Sequence, residues 1–240
     1  MSLTSQNFVV IGVEAIAFLS DRTLSAPRLM ATVLKTFADR FNGELQALPL
    51  PREIPAEVPR IILQSEDQQY RFEGAPARLK SSWQTTGEGK SELADIVPAC
   101  VEVLAYCVRE LNPCVGRLAL VVSRVCSIAE PAQRLVEQFC NAEVMQQPLN
   151  RSSNFELHNH KQYTPTHPAL NLPINSWVRC KSAALTKDNS PAILVEQDLN
   201  TLAEEADRHN FDAPKVEAYF EMAVFEANAI LGKYFPESNP

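Results

Sequence analysis

An order of elements that occurs twice constrains this chain more than any other feature: strand, helix, β-hairpin, long amphipathic helix, first over Phe8–Leu111 and again over Arg117–Phe235. Taken alone, each half would leave apolar surface in water, so the two must share one layered arrangement. The pattern predicts an α+β fold. Pseudo-duplicated units, 8–111 and 117–235, build a curved, mainly antiparallel sheet with two long helices on one face, as one domain with a continuous sheet. At 240 residues the chain can form a sizeable core without a metal or a disulfide.

The first half reads as follows. Phe8–Phe18 (FVVIGVEAIAF) is rich in Val and Ile and alternates as a strand does, with Val9, Ile11 and Val13 on one face and Val10 and Gly12 on the other. Ser25 or Ala26, followed by Pro27, opens a helix striped by Met30, Val33, Leu34, Phe37 and Phe41, and Gly43 closes it as the residue after the C-cap. Pro49, Pro51, Pro55 and Pro59 then keep the chain extended as a connector. Arg60–Leu63 and Tyr70–Glu73 are short strands around a polar turn, Arg78–Gln84 is a third, and Thr85–Lys90 is a loop. Ser91–Leu111 has a continuous helical stripe. Pro98 falls within it and must either kink the helix or mark its true first turn, and Asn112-Pro113 ends it.

In the second half, Arg117–Cys126 is nearly all apolar, as a central strand would be, and Ala129–Cys140 is a short helix entered through Pro131. Phe155–Thr164, Trp177–Thr186 and Ala192–Asp198 are strands, the last two joined at Lys187-Asp188-Asn189-Ser190. Pro214 opens a final helix with Val216, Tyr219, Phe220, Ala223, Ala227, Ile230, Leu231 and Tyr234 inward, and the tail from Pro236 frays. On this reading the second half carries the extra strand and the shorter first helix.

Composition narrows the function classes. No apolar run approaches the ~18 residues of a bilayer span, and Met1–Asn7 lacks a basic-then-apolar signal pattern, which favours a cytoplasmic, bacterial protein. None of the six cysteines forms a C-x-x-C pair, so buried free thiols are expected. A net charge of −7 argues against nucleic acid as a general partner. A local exception is Arg71, Arg78, Lys80 and Lys90 around Trp83, but Glu73 and Glu88 interrupt it.

Motifs for catalysis are sparse. G-x-S-x-G, H-E-x-x-H, G-x-x-x-x-G-K-[ST] and G-x-G-x-x-G do not occur, and seven glycines leave little material for a phosphate loop. His158 and His160 share a strand face and, with His167 beyond Pro165, have the residue types of a zinc site. Against that, Phe155 and Leu157 alternate with them, which makes the histidine face the solvent face. The acidic groups Glu204, Glu205 and Asp207, and Glu217, Glu221 and Glu226, read as solvated faces. Cys114 or Cys126 as a nucleophile would need a nearby base.

Two stretches carry a resemblance. PRIILQSEDQQYRFEGAPARLKSSW (Pro59–Trp83), followed by a long helix, and ILVEQDLN (Ile193–Asn200), followed by a helix ending in LGKYF, resemble a sporadically distributed bacterial family of uncharacterised proteins of similar length. The layout is also similar to the TATA-binding-protein fold and to helix-grip folds. Neither resemblance implies an activity or residue roles.

The expected function is therefore a binding or protein-interaction protein, leaning away from an enzyme and needing no cofactor. It would work as a homodimer or on a partner protein, through the sheet face or a strand edge. Trp83, Trp177, Tyr70 and Arg179 are the candidate ligand or interface residues, because aromatic and Arg side chains dominate interfaces when exposed. The alternative is a small-ligand protein or enzyme with a pocket between the sheet and the long helices.

Overall fold

Long strands with alternating apolar residues need a cover on one side, and two helical stripes of matching length supply it. In a computed structural model of the chain, residues 3–237 are described apart from positions 23, 52, 88–90, 142, 144, 146–148, 169, 186 and 187. Among the described residues nine strands form one curved, unclosed antiparallel sheet: β1 (Val9–Leu19), β2 (Leu45–Ala47), β3 (Ile61–Gln64), β4 (Tyr70–Ala75), β5 (Arg78–Gln84), β6 (Val115–Ser127), β7 (Glu156–Tyr163), β8 (Ile174–Ala184) and β9 (Pro191–Thr201). Their order is β2-β3-β4-β5-β1-β6-β9-β8-β7. About the β1–β6 seam the order is symmetric: β5, β4 and β3 on one side answer to β9, β8 and β7 on the other. The unmatched strand is β2. The extra strand thus belongs to the first half rather than the second, because Leu45–Ala47, ahead of the proline connector, pairs with β3.

The helices α1 (Ala26–Phe37), α2 (Leu93–Leu111), α3 (Pro131–Phe139) and α4 (Ala213–Tyr234) lie on one face. α2 covers β1 and β5, α4 covers β6 and β9, and the two pack side by side over the seam. α1 and α3 flank them, against β4 and β8 respectively. Below them Val13, Leu79, Phe72, Leu120, Val195 and Leu199 meet buried residues such as Leu104 of α2 and Phe220 of α4. Each such side chain contributes roughly 1.5–3 kcal/mol by leaving water. Tyr219 is fully buried at this layer and donates its hydroxyl to Leu199 O at 2.6 Å, so its one polar atom is satisfied.

Four local readings change. A bulge in β1 at Ile11 puts Val10 opposite Arg124 and Val13 opposite Val122, so Val10 and Val13 share the helix face and Gly12 goes to the other. α1 ends at Phe37, and its buried stripe is Leu29, Val33 and Phe37 with Phe41 beyond the helix. Gly43 does not cap it. Gly43 instead donates to Gln64 O at 3.0 Å, and a Cβ there would lie 2.7 Å from the Ser65 carbonyl carbon, so the residue is set by a close backbone approach. Pro98 lies inside α2, five residues past its start at Leu93, and is exposed on the outer surface, where its missing N–H and ring do not disturb the core. The helix stops as anticipated: Asn112 takes the left-handed conformation and donates to Val108 O.

Gly74 on β4 lets α1 approach the sheet, because a Cβ there would lie 2.3 Å from Leu29 Cδ2 and 2.8 Å from Ile61 Cγ1. Gly74→Ala should destabilise the protein by about 1–3 kcal/mol through overpacking. Gly87→Ala, where a Cβ meets nothing within 4 Å, should be near neutral. Urea denaturation of both variants checks the pair.

Candidate functional site

The second face of the sheet carries no described helix, and in-register pairing lays its side chains out in rows. One row crosses eight strands: Gln64, Arg71, Ser82, Glu14, Val121, Asp198, Trp177 and His160. The row beside it holds Gln84, Gly12, Ser123, Glu196, Arg179 and His158, and the row on the other side holds Glu73, Lys80, Ile16, Ala119, Asn200 and Asn175. Curvature sinks the middle of this face. Ile16, Ala119, Asn200 and even Glu73 are buried there, and a hollow of about 510 Å³ opens between β4, β5, β1 and β6.

Charges on this surface hold one another. In the first half Glu73 takes Arg71 Nε at 2.8 Å and Lys80 Nζ at 3.3 Å, with Arg78 at 3.9 Å, while Lys80 also reaches Glu14 at 3.1 Å. In the second half Glu156 binds Arg179 and accepts from His158 Nε2 at 2.8 Å, and Glu196 takes Lys181 at 3.2 Å and Arg179 at 3.8 Å. The Arg179 and His158 hydrogen bonds hold the Glu156 carboxyl below its usual range. Arg117 lies over the Phe18 ring, 4.8 Å from its centroid, and donates to Asn200 Oδ1 at 2.8 Å.

The structure separates the four interface candidates. Trp177 and Arg179 are neighbours on the uncovered face, Trp177 being 46% exposed with His160 stacked on it at 4.0 Å and 10°. Trp83 points the other way. It is odd-numbered on β5 like Leu79 and Ser81, so the pleat buries it under the helices, with its indole N–H on Gln69 Oε1 at 3.2 Å. Tyr70, opposite it in register, is half-buried on the same side beneath Arg40.

His158 and His160 do share a face, but each ring is turned to a partner: His158 to Glu156, His160 to Trp177 and to Asn175 Oδ1 at 3.2 Å. His167 sits in a separate bridge with Leu170. Among the described residues no three His, Cys, Asp or Glu side chains gather as metal ligands. The basic patch is also divided: Arg71, Arg78 and Lys80 surround Glu73 on the open face, Trp83 is beneath the helices, and Lys90 and Glu88 lie outside the described residues.

Sequence reasoning missed a buried cation. Arg124 on β6 is 2% exposed on the helix-facing side, beside a cavity of about 400 Å³. An arginine among the valines of LVVSRVC was its only signal. The cavity lies between the sheet and the start of α2 and the later turns of α4, away from the histidine strand. Neither family models, curated proteins nor solved structures match the chain.

Burial pushes the thiols of Cys100, Cys107 and Cys180 up to about 12, which suits core packing and not nucleophilic attack. These thiols keep their protons in the folded state after unfolded chains, with values near 9.0, have lost theirs. Their contribution is complete below about pH 9 and drains as pH rises toward about 12. The urea midpoint should therefore fall with alkaline pH across that window, and less steeply in Cys100→Ala/Cys107→Ala. In the native protein a thiol-disulfide exchange reagent should label half-buried Cys114 and Cys140 quickly and the other four only on unfolding.

Proposed function

We propose that this chain is a binding protein whose working surface is the uncovered face of its sheet, and that the occupant is a second copy of the chain. The observation that carries this reading is Trp177, a large aromatic left 46% exposed amid paired charges, on a sheet whose opposite face carries the four helices. Exposed aromatics beside arginine have the character of interface anchors.

Charge favours a second copy over other occupants. The rows of this face hold six Lys or Arg side chains and five Asp or Glu, against a net −7 for the whole chain. Two acidic molecules meet with less repulsion through a surface that is close to neutral than through one that carries the excess negative charge. The presence of both signs on one face also suits a self-complementary, two-fold contact. The strand edges offer less. β2 is three residues long, and β7 presents Glu156, His158, His160, Lys161 and Gln162, which discourage another strand from pairing.

Sedimentation equilibrium over a wide concentration range tests the proposal. The wild type should show a monomer–dimer equilibrium, which Trp177→Ala weakens by about tenfold or more and Arg179→Glu weakens in a salt-dependent way. A monomer at every concentration, or a dimer indifferent to both substitutions, overturns it.

A further inference from the structure

A protonated arginine in a protein interior ordinarily has a carboxylate beside it, because an unpaired buried charge is costly. Arg124 has none. Its Nη1–H is taken by Gln197 Oε1 and its Nη2–H by Asn228 Oδ1 at 2.8 Å, both neutral amides. Gln197 is itself fixed by donating to Ala227 O at 2.8 Å. Among the described residues no carboxylate comes within ion-pair distance of the guanidinium; the nearest charge felt is that of Glu92. Burial pushes Arg124 down to about 10, so it remains a cation at neutral pH. The fork has five N–H donors, and the two amides account for two.

The cavity of about 400 Å³ beside Arg124 has the size of a small-molecule site. Phe8, Leu93 and Leu231 give it an apolar wall, and Ser91 and Asn228 add hydrogen-bonding groups. α2 starts at its mouth. The N-cap residue Glu92 makes no side-chain cap, so the dipole of a 19-residue helix adds positive potential next to the buried guanidinium. Glu92 is exposed at the rim, where its charge disfavours a doubly charged anion and tolerates a single one.

We infer that this cavity is a binding site for a small organic monocarboxylate, whose carboxylate supplies the counter-ion Arg124 lacks while its apolar body lies along Phe8, Leu93 and Leu231. The site is on the opposite side of β6 from the uncovered sheet face and stands independently of the proposal made for that face.

Thermal unfolding with acetate, butyrate and benzoate at matched ionic strength, against sodium chloride and benzyl alcohol, tests the inference. At least one carboxylate, benzoate foremost, should raise the wild-type midpoint saturably, and the chloride and alcohol should not. Arg124→Met should fold with a midpoint at or above that of the ligand-free wild type, since it removes an unpaired charge, and should lose the carboxylate response. Arg124→Lys should retain a response weakened about tenfold or more, because the planar fork is lost. Ser91→Trp, which fills the mouth and leaves Arg124 in place, should abolish it even if Arg124→Met fails to fold. A wild type indifferent to all three carboxylates, or a response that persists in Ser91→Trp or Arg124→Met, overturns the inference.

Discussion

The pairing of β1 with β6 is the constraint on which the rest of the structure depends. Each half supplies a partial sheet with one apolar face, and only the antiparallel seam from Val9–Leu19 to Val115–Ser127 makes the two faces continuous. Once the seam is set, α2 and α4 are brought side by side above it, and Val13, Ala15 and Ala17 meet Val122, Leu120 and Leu118 beneath them. Small alanines at the centre of β1 leave room for two helices to share one seam. Much of the helix layer is therefore held by contacts that cross between the halves.

The two faces of the sheet divide the chemistry. On the roofed side polar groups are few, and several are held by a neighbour, as with Tyr219 on Leu199 O and Gln197 on Ala227 O. On the open side charges pair within and between neighbouring rows, so the surface carries no single-sign field. Arg124 breaks the division. Among the described residues it is the one guanidinium sent to the roofed side of the sheet's middle, and a cavity lies next to it.

The class of fold, the order of the elements and the two long helices could be read from the sequence because hydrophobic period is a local property. The stripe from Leu93 to Leu111 and the apolar run of β6 declare themselves within one window. What could not be read depends on neighbours distant in the chain. β2 has three residues and exists only because β3 lies beside it; Gly43 looks like a helix stop until the Gln64–Glu66 backbone is seen against it. Of the candidate site on the open face, Trp177 and Arg179 were identifiable, whereas Trp83 is indistinguishable from them by residue type and is separated only by the parity of its strand. Arg124 was hidden for the opposite reason: in sequence a lone arginine between apolar residues looks like a solvent-facing position of an alternating strand.

The bulge at Ile11 has a consequence for how this chain tolerates change. Because one extra residue is accommodated there, Val10 faces the helices opposite Arg124 while the strand beyond Gly12 keeps its own alternation. Loss of Ile11 would close the bulge into a regular ladder, with Val10 still facing the helices opposite Arg124 and Gly12 still on the open side. The first residues of β1, and the wall of the Arg124 cavity that they help to form, are thus offset by one residue from the rest of the strand and keep their facing with or without the bulge. A deletion that most of the seam would reject can be absorbed here, with the side chains on either side of the bulge still facing the layers they face now.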